Sequence, residues 1–315
     1  MDTYCAAVDW GTSSFRIWLL SDDGSVIAER RSHEGMTQAA KTGFENVLEA
    51  HLSAMQASQG LPVVICGMAG SRQGWREARY LTVPAKLSDI VETAVRIESA
   101  GRDIRILPGL AQRDPQHPDV MRGEETQLLG AFSGDRTTGL ACMPGTHSKW
   151  VRVSGGKATG FTTYMTGELF GLIARQSILR HAVGETDSCD PKNPEFTRAV
   201  AEAYRDPTGV SRLLFSIRAG QLLYSRNSAG SFARLSGLLI GWEIAAARVE
   251  FGEGDEIHLI ASGKLFGLYE AAFRSLGQTV TALDADEAVL KGLITGAWQF
   301  WPTTSNQPDY GQIKA

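Results

Sequence analysis

The sequence predicts an α/β protein built from two duplicated lobes, and three observations predict it. The apolar runs "PVVICG" (62–67) and "DIRILPG" (103–109) are short and end in glycine, as strands buried in an α/β sheet do. Stretches of helical periodicity alternate with such runs. A short motif also recurs in one setting: Gly-Thr-Ser-Ser at 11–14 and Gly-Thr-His-Ser at 145–148. Each copy follows an apolar strand and precedes a second strand that reaches a glycine-containing turn. Two hairpins of one design, each opening half of the chain, imply duplicated α/β domains.

The elements follow in order. Residues 4–9 and 15–20 read as strands, and "SDDGS" (21–25) supplies a turn before "VIAERR". Phe44, Val47, Leu48, Leu52 and Met55 stand at helical spacing and predict one amphipathic helix over 42–58. The two glycine-ended runs come next as strands, and a helix carrying "GEETQLLGAF" begins near Arg122. Residues 139–165 are strand-like with an "SGGK" turn. Helical stretches fill 166–248, where Gly237 and Gly241, four apart, predict close helix packing. Strands over 256–263 and 279–283 precede a closing helix over 285–299, for which Asp284 and Glu287 form a capping pair. The polar tail after Trp301 reads as frayed. The expected domains are 1–132 and 133–315, with the 285–299 helix able to pack back on the N-terminal lobe.

Composition narrows the function classes. The chain has 315 residues, 43% of them apolar and 21% charged, with a formal net charge of −4. No broad basic surface argues for nucleic acid or an anionic membrane, and no apolar run is long enough to cross a bilayer. Small anionic ligands would need a local cradle. Cys5, Cys66, Cys142 and Cys189 are far apart and form no CxxC pair, which fits reduced thiols in cytoplasm. The six histidines have no ligand-like spacing, so no protein-held zinc is expected.

The hairpin tips carry the chemistry. Glycine lets backbone approach a ligand closely, and tip N–H groups and hydroxyls can donate to phosphate oxygens. Gly11, Thr12 and Ser13 form one such tip; Gly145, Thr146 and His147 form the other. Asp9 stands where a carboxylate could hold Mg²⁺, directly or through water. Neither a Walker loop nor a GxGxxG fingerprint is present, so a nucleotide here would be held by another architecture.

"VDWGTSSFR" resembles the first phosphate loop of the actin, heat-shock chaperone and sugar kinase superfamily, and "PGTHSKW" resembles its second. "IASGKLFG" (260–267) is similar to the loop that packs on adenine, and "DADEAVLKGLITGAW" (284–298) to the helix crossing between lobes. More narrowly, "MRGEETQLLGAF", "PGTHSKWV", "MTGELFGLI" and "LSGLLIGWE" together resemble the 2-dehydro-3-deoxygalactonokinase family along nearly the whole chain. The resemblance implies two ribonuclease-H-like lobes with an interlobe cleft. It also implies ATP and Mg²⁺, and transfer of the γ-phosphate to the 6-hydroxyl of 2-dehydro-3-deoxy-D-galactonate.

It further implies roles. Glu124 resembles the base of the "GDQQ"-type segment in glycerol kinase relatives, although that pattern has Asp where this chain has Glu; Glu125 is the neighbouring candidate. Both glutamates could equally serve the positive end of a helix dipole. Arg72 matches a substrate-loop arginine suited to a bidentate grip on a carboxylate. Arg16 could face phosphate or substrate. Trp75 could line the sugar pocket or belong to the core, whereas Arg76 and Arg79 read as solvated. Lys149 and His147 could meet phosphate or be structural. Gly263 and Lys264 are assigned to adenosine, and Glu243 to a structural role. The small-molecule sugar acid is the expected partner, with a homodimer as the assembly considered. Rival readings are a same-fold kinase for 2-dehydro-3-deoxygluconate or a neutral sugar, and a non-catalytic ATP-binding actin-like protein.

Overall fold

The computed structural model describes residues 3–99, 101–186 and 188–303, so the predicted polar tail lies, from residue 304 onwards, outside the described residues. The chain forms two compact units. Unit 1 comprises Met1–Thr137, Gly155–Thr159 and Asp286–Ala315; unit 2 comprises Thr138–Ser154 and Gly160–Ala285.

Unit 1 starts with β1 (Cys5–Trp10), β2 (Phe15–Leu20) and β3 (Val26–Ser32), followed by α1 (Met36–Thr42), α2 (Phe44–Ala54) and β4 (Val63–Gly67). Short strands β5 (Leu81–Thr82) and β6 (Ala85–Lys86), helix α3 (Asp89–Glu92), and strands β7 (Val95–Ser99), β8 (Arg102–Ile106), β9 (Leu110–Arg113) and β10 (Pro118–Met121) lead to α4 (Glu124–Ala131). The main sheet runs β3-β2-β1-β4-β8-β7, with β1 antiparallel to β2 and parallel to β4. Strand β4 is buried throughout, as a central strand covered on both faces must be. Strand β3 is largely exposed, and its Glu29, Arg30 and Arg31 put charge on the sheet edge.

The helix predicted over 42–58 is present as α2 (Phe44–Ala54), and a separate helix that the sequence reading did not predict, α1, precedes it. Gly43, at φ +92°, breaks the ladder between α1 and α2, which no side chain would do as easily. The hairpins β7–β8 and β9–β10 carry polar residues on alternate positions and Pro118 at a strand start, which hid part of them from an apolar pattern.

Unit 2 contains β11 (Gly139–Met143), β12 (Ser148–Ser154), β13 (Lys157–Tyr164), α5 (Thr166–Gln176), α6 (Arg180–Val183), α7 (Pro194–Arg205), α8 (Val210–Tyr224), α9 (Ser228–Phe251), β14 (Ile257–Ala261), α10 (Gly263–Ser275) and β15 (Val280–Asp284). The start of β13 belongs to unit 1, where Lys157 and Ala158 pair with Lys86 and Ala85. The order β13-β12-β11-β14-β15 repeats β3-β2-β1-β4-β8, again with an antiparallel opening pair and parallel strands after it. This repeated topology is the duplicated α/β arrangement that the two Gly-Thr hairpins predict. Helix α9 is buried along most of its length and lies against α7, where a Cβ on Gly237 would stand 2.3 Å from Phe196 O and one on Gly241 2.4 Å from Val200 O. The predicted close packing of this glycine pair is therefore present.

The last helix, α11 (Ala285–Phe300), packs on α4 in unit 1. Tyr4 OH donates to Ala297 O at 2.9 Å, and Trp298 Nε1 to Asp22 O at 3.0 Å. Among the described residues no helix is long and apolar enough to cross a membrane.

Candidate active site

The first hairpin is built so that an acid stands immediately before an exposed tip. Asp9 pairs in register with Arg16 on β2 and with Cys66 on β4. Arg16 donates to Asp9 Oδ2 through Nη2 (2.6 Å) and Nε (3.2 Å), and its Nη1 forms an ion pair with Asp286. Burial works against the Arg16 charge, but Asp9 and Asp286 more than offset it and its pKa rises. Cys66 Sγ lies 3.7 Å from Asp9 Oδ1. At the tip, Gly11 N donates to Ser14 O at 2.9 Å, while Thr12 and Ser13 are exposed.

The second hairpin repeats the arrangement without the acid. Gly145 N donates to Ser148 Oγ at 3.4 Å, and Thr146 and His147 are exposed. His147 Nε2 is 2.5 Å from Glu168 Oε2. Lys149 is buried, with Nζ 3.5 Å from His147 O.

A helix start backs each tip in the same way. In unit 1, Met36 N donates to Gly11 O (2.9 Å) and Thr37 N to Thr12 O (3.1 Å). In unit 2, Glu168 N donates to Thr146 O at 3.0 Å. Both contacts need a glycine on the helix side. A Cβ at Gly35 would stand 2.5 Å from Thr12 O, and one at Gly167 2.5 Å from Gly145 O. Neither Gly35 nor Gly167 is singled out by the sequence reading, although each stands at the start of a helix that follows a tip.

The two glutamates have different surroundings. Glu124 is half-buried and its Oε2 accepts from Arg122 N at 3.0 Å. Glu125 is fully buried and its Oε2 accepts from Gly123 N at 2.7 Å. Burial, with the neighbouring Glu124 charge, pushes the Glu125 carboxyl up to about 8. Burial first, then Asp9 on β1 and Glu125 on α4, raises the Cys66 thiol. Arg122, which the sequence reading passed over, lies over the Tyr80 ring at 4.4 Å and donates through Nη2 to Ala78 O at 2.8 Å. It thereby ties the 67–80 loop to the Gly-Glu-Glu turn.

Within that loop Arg72 is exposed. Trp75 is half-buried, stacked on Phe44 (6.1 Å between centroids, 16°) and edge-on to Trp10. Its indole packs on the unit 1 core. Gly263 opens α10 at φ +61°, and Lys264 lines a largely apolar cavity of about 180 Å³ in unit 2. Gly145, Phe170, Leu239, Leu268 and Tyr269 line it too. This cavity draws on α5, α9 and α10, whose separation in sequence concealed it.

Among the described residues no cluster of three or more His, Cys, Asp or Glu side chains could hold a metal alone. A lone carboxylate does suit Mg²⁺, which commonly takes one or two carboxylates and completes its shell with phosphates and water. Asp9 is such a carboxylate, with Oδ2 engaged by Arg16 and Oδ1 3.7 Å from Cys66 Sγ.

The family model described as 2-keto-3-deoxy-galactonokinase matches residues 9–295. A Rhizobium meliloti (strain 1021) protein named "Probable 2-dehydro-3-deoxygalactonokinase DgoK1" is 56% identical over 95% of this chain and 98% of its own length. The 2-dehydro-3-deoxygalactonokinase of Escherichia coli (strain K12) is 36% identical over 91% of this chain and 95% of its own. A crystal structure of a Sinorhizobium meliloti protein with the same provisional name superposes with a TM-score of 0.92 at 56% identity, covering 95% of this chain and all of that one.

Proposed function

The chain belongs to the 2-keto-3-deoxy-galactonokinase family, and on that premise we propose that it transfers the γ-phosphate of ATP to the 6-hydroxyl of 2-dehydro-3-deoxy-D-galactonate. The products are 2-dehydro-3-deoxy-6-phospho-D-galactonate and ADP. Besides the family, one observation carries the reading: both Gly-Thr tips are exposed, and each rests on the start of a helix through a glycine contact. A tip held that way offers backbone and hydroxyl donors that need little reorganisation when phosphate arrives.

Gly11, Thr12 and Ser13 are assigned to the ATP phosphates, as are Gly145, Thr146 and His147, with the Lys149 charge beneath the second tip. Asp9 would hold Mg²⁺, directly or through water, and the ion would supply charge neutralisation at the phosphates. The apolar cavity beside Lys264 suits a purine, and with Gly263 it makes the adenosine subsite. Arg72 is assigned to the sugar-acid carboxylate, and Arg16 to the fixing of Asp9. Trp75 is assigned a supporting part under the substrate loop.

Glu124 is the proton acceptor in this scheme. It is the more accessible of the two carboxyl groups, whereas Glu125 is sealed and holds its proton at neutral pH. The substrate oxygen attacks phosphorus, its proton passes to Glu124, and the bond to the bridging oxygen of ADP breaks. Reduced cysteines, all four of them free, suit a cytoplasmic enzyme.

An ADP-release assay with a panel of acceptors tests the proposal. Turnover should be highest with 2-dehydro-3-deoxygalactonate, lower with 2-dehydro-3-deoxygluconate and absent with neutral sugars. Equal ADP release with and without any acceptor would overturn it.

A further inference from the structure

The unit 2 core contains a buried carboxylate that the proposed reaction does not use. Glu243 lies on α9, 3% exposed. Its Oε1 accepts from Trp150 Nε1 at 2.9 Å and its Oε2 from Tyr269 OH at 2.6 Å. The Thr166 hydroxyl also hydrogen-bonds to it. A buried carboxylate is costly to desolvate, and an apolar side chain would fill the same space without that cost. What distinguishes this position is its neighbours. Ser148 and Trp150 belong to the strand that leaves the second hairpin tip, Thr166 opens the helix that backs the tip, and Tyr269 lines the cavity beside Lys264.

The hydrogen bonds around it can run in one direction. Tyr269 OH donates to Glu243 and so spends its one proton there. The Tyr269 oxygen is then left to accept from Ser148, 3.2 Å away. With its proton committed, Ser148 Oγ turns a lone pair to Gly145 N–H, at 3.4 Å. Glu243 therefore heads a chain of three successive groups that ends at the backbone of the tip. Burial pushes the Glu243 carboxyl up, and its hydroxyl and indole donors pull it back down.

We propose that Glu243 is a positioning residue for the nucleotide, acting through Tyr269 and Ser148 to set the second hairpin tip against the ATP phosphates. The proposal rests on the reading that this tip binds ATP. It makes no contact claim for Glu243 itself, which reaches the ligand only through other groups.

The test uses the full chain with ATP and Mg²⁺, reading the ATP dissociation constant by calorimetry and KM for both substrates by ADP release. Tyr269→Phe cuts the chain and keeps the ring. Glu243→Gln presents an amide N–H₂ to groups that must themselves donate. Each should weaken ATP binding about tenfold, the scale of one hydrogen bond to a charged group. KM for the sugar acid should stay within twofold of wild type. The double variant should be no weaker than the weaker single variant, because both break one chain. Should Glu243→Gln fail to fold, Tyr269→Phe and Ser148→Ala form the same cycle. Unchanged ATP affinity in Tyr269→Phe, equal losses for both substrates, or full additivity would each overturn the inference. Wild-type protein that binds no ATP would overturn the functional reading and this inference with it, and so is distinguishable from failure of the inference alone.

Discussion

Arg16 grips Asp9 from the adjacent strand, with both Nη2 and Nε on the single oxygen Oδ2. The other oxygen, Oδ1, lies 3.7 Å from Cys66 Sγ. Asp9→Asn should lower kcat by about 10²–10³, the usual scale for losing one preorganised electrostatic group, and should flatten the Mg²⁺ dependence of the rate. Steady-state kinetics across a Mg²⁺ titration checks this. A variant with wild-type kcat and Mg²⁺ response removes Asp9 from the metal site.

The adjacent glutamates should separate in function. Glu124→Gln is expected to reduce kcat by about 10²–10⁴ with ATP binding retained, as for loss of a general base. Glu125→Gln should cost far less, since a carboxyl that keeps its proton is mimicked by an amide. Near-full turnover in Glu124→Gln would move the base elsewhere.

Glu125 also makes a prediction about stability against pH. Its carboxyl is raised in the folded state to about 8 from an ordinary 4.5, so between those values the folded chain binds a proton that the unfolded chain has lost. Stability from this group is therefore highest below about 4.5 and declines as pH rises toward 8, by at most about 1.4 kcal/mol per pH unit. Urea unfolding at pH 5, 6.5 and 8 should show Glu125→Gln gaining on wild type as pH increases. Parallel curves for the two proteins would mean that Glu125 is already ionised.

The glycine behind each tip should be intolerant of a methyl group. Gly167→Ala places a carbon 2.5 Å from Gly145 O, and the tip must move. KM for ATP should rise several-fold or more, with a thermal midpoint only a few degrees lower. Gly171→Ala, in the same helix with open space around it, serves as the control.

Arg72 is exposed and free to meet an anion. Arg72→Ala should raise KM for the sugar acid about tenfold or more and leave the ATP dissociation constant unchanged. A loss shared by both substrates would point to disruption of the loop and not to carboxylate recognition.

Much of this was legible in the chain because the governing constraints are local. Gly-Thr tips between strands announce themselves, and so does the Gly-Glu-Glu turn at a helix start. Helix α1 was not legible, since Met36–Thr42 is short and buries only Ala39, and the stop at Gly43 shows only in its backbone angle. Trp75 was ambiguous because an indole beside a substrate loop and one stacked on Phe44 look identical in sequence. The Glu243 network was invisible for another reason. Its members, Ser148, Trp150, Thr166 and Tyr269, are brought together only by packing.

Helix α11 has a consequence for biosynthesis. It supplies Ala288 and Gly292 to the surface of α4, where a Cβ on Gly130 would stand 2.0 Å from Ala288 O and one on Gly292 2.0 Å from Thr126 O. On a ribosome nearly all of unit 2 emerges before that helix does, so it can mature while unit 1 still lacks α11. The turn bearing Glu124 and Glu125 therefore acquires the backing of α11 only after unit 2 has been synthesised.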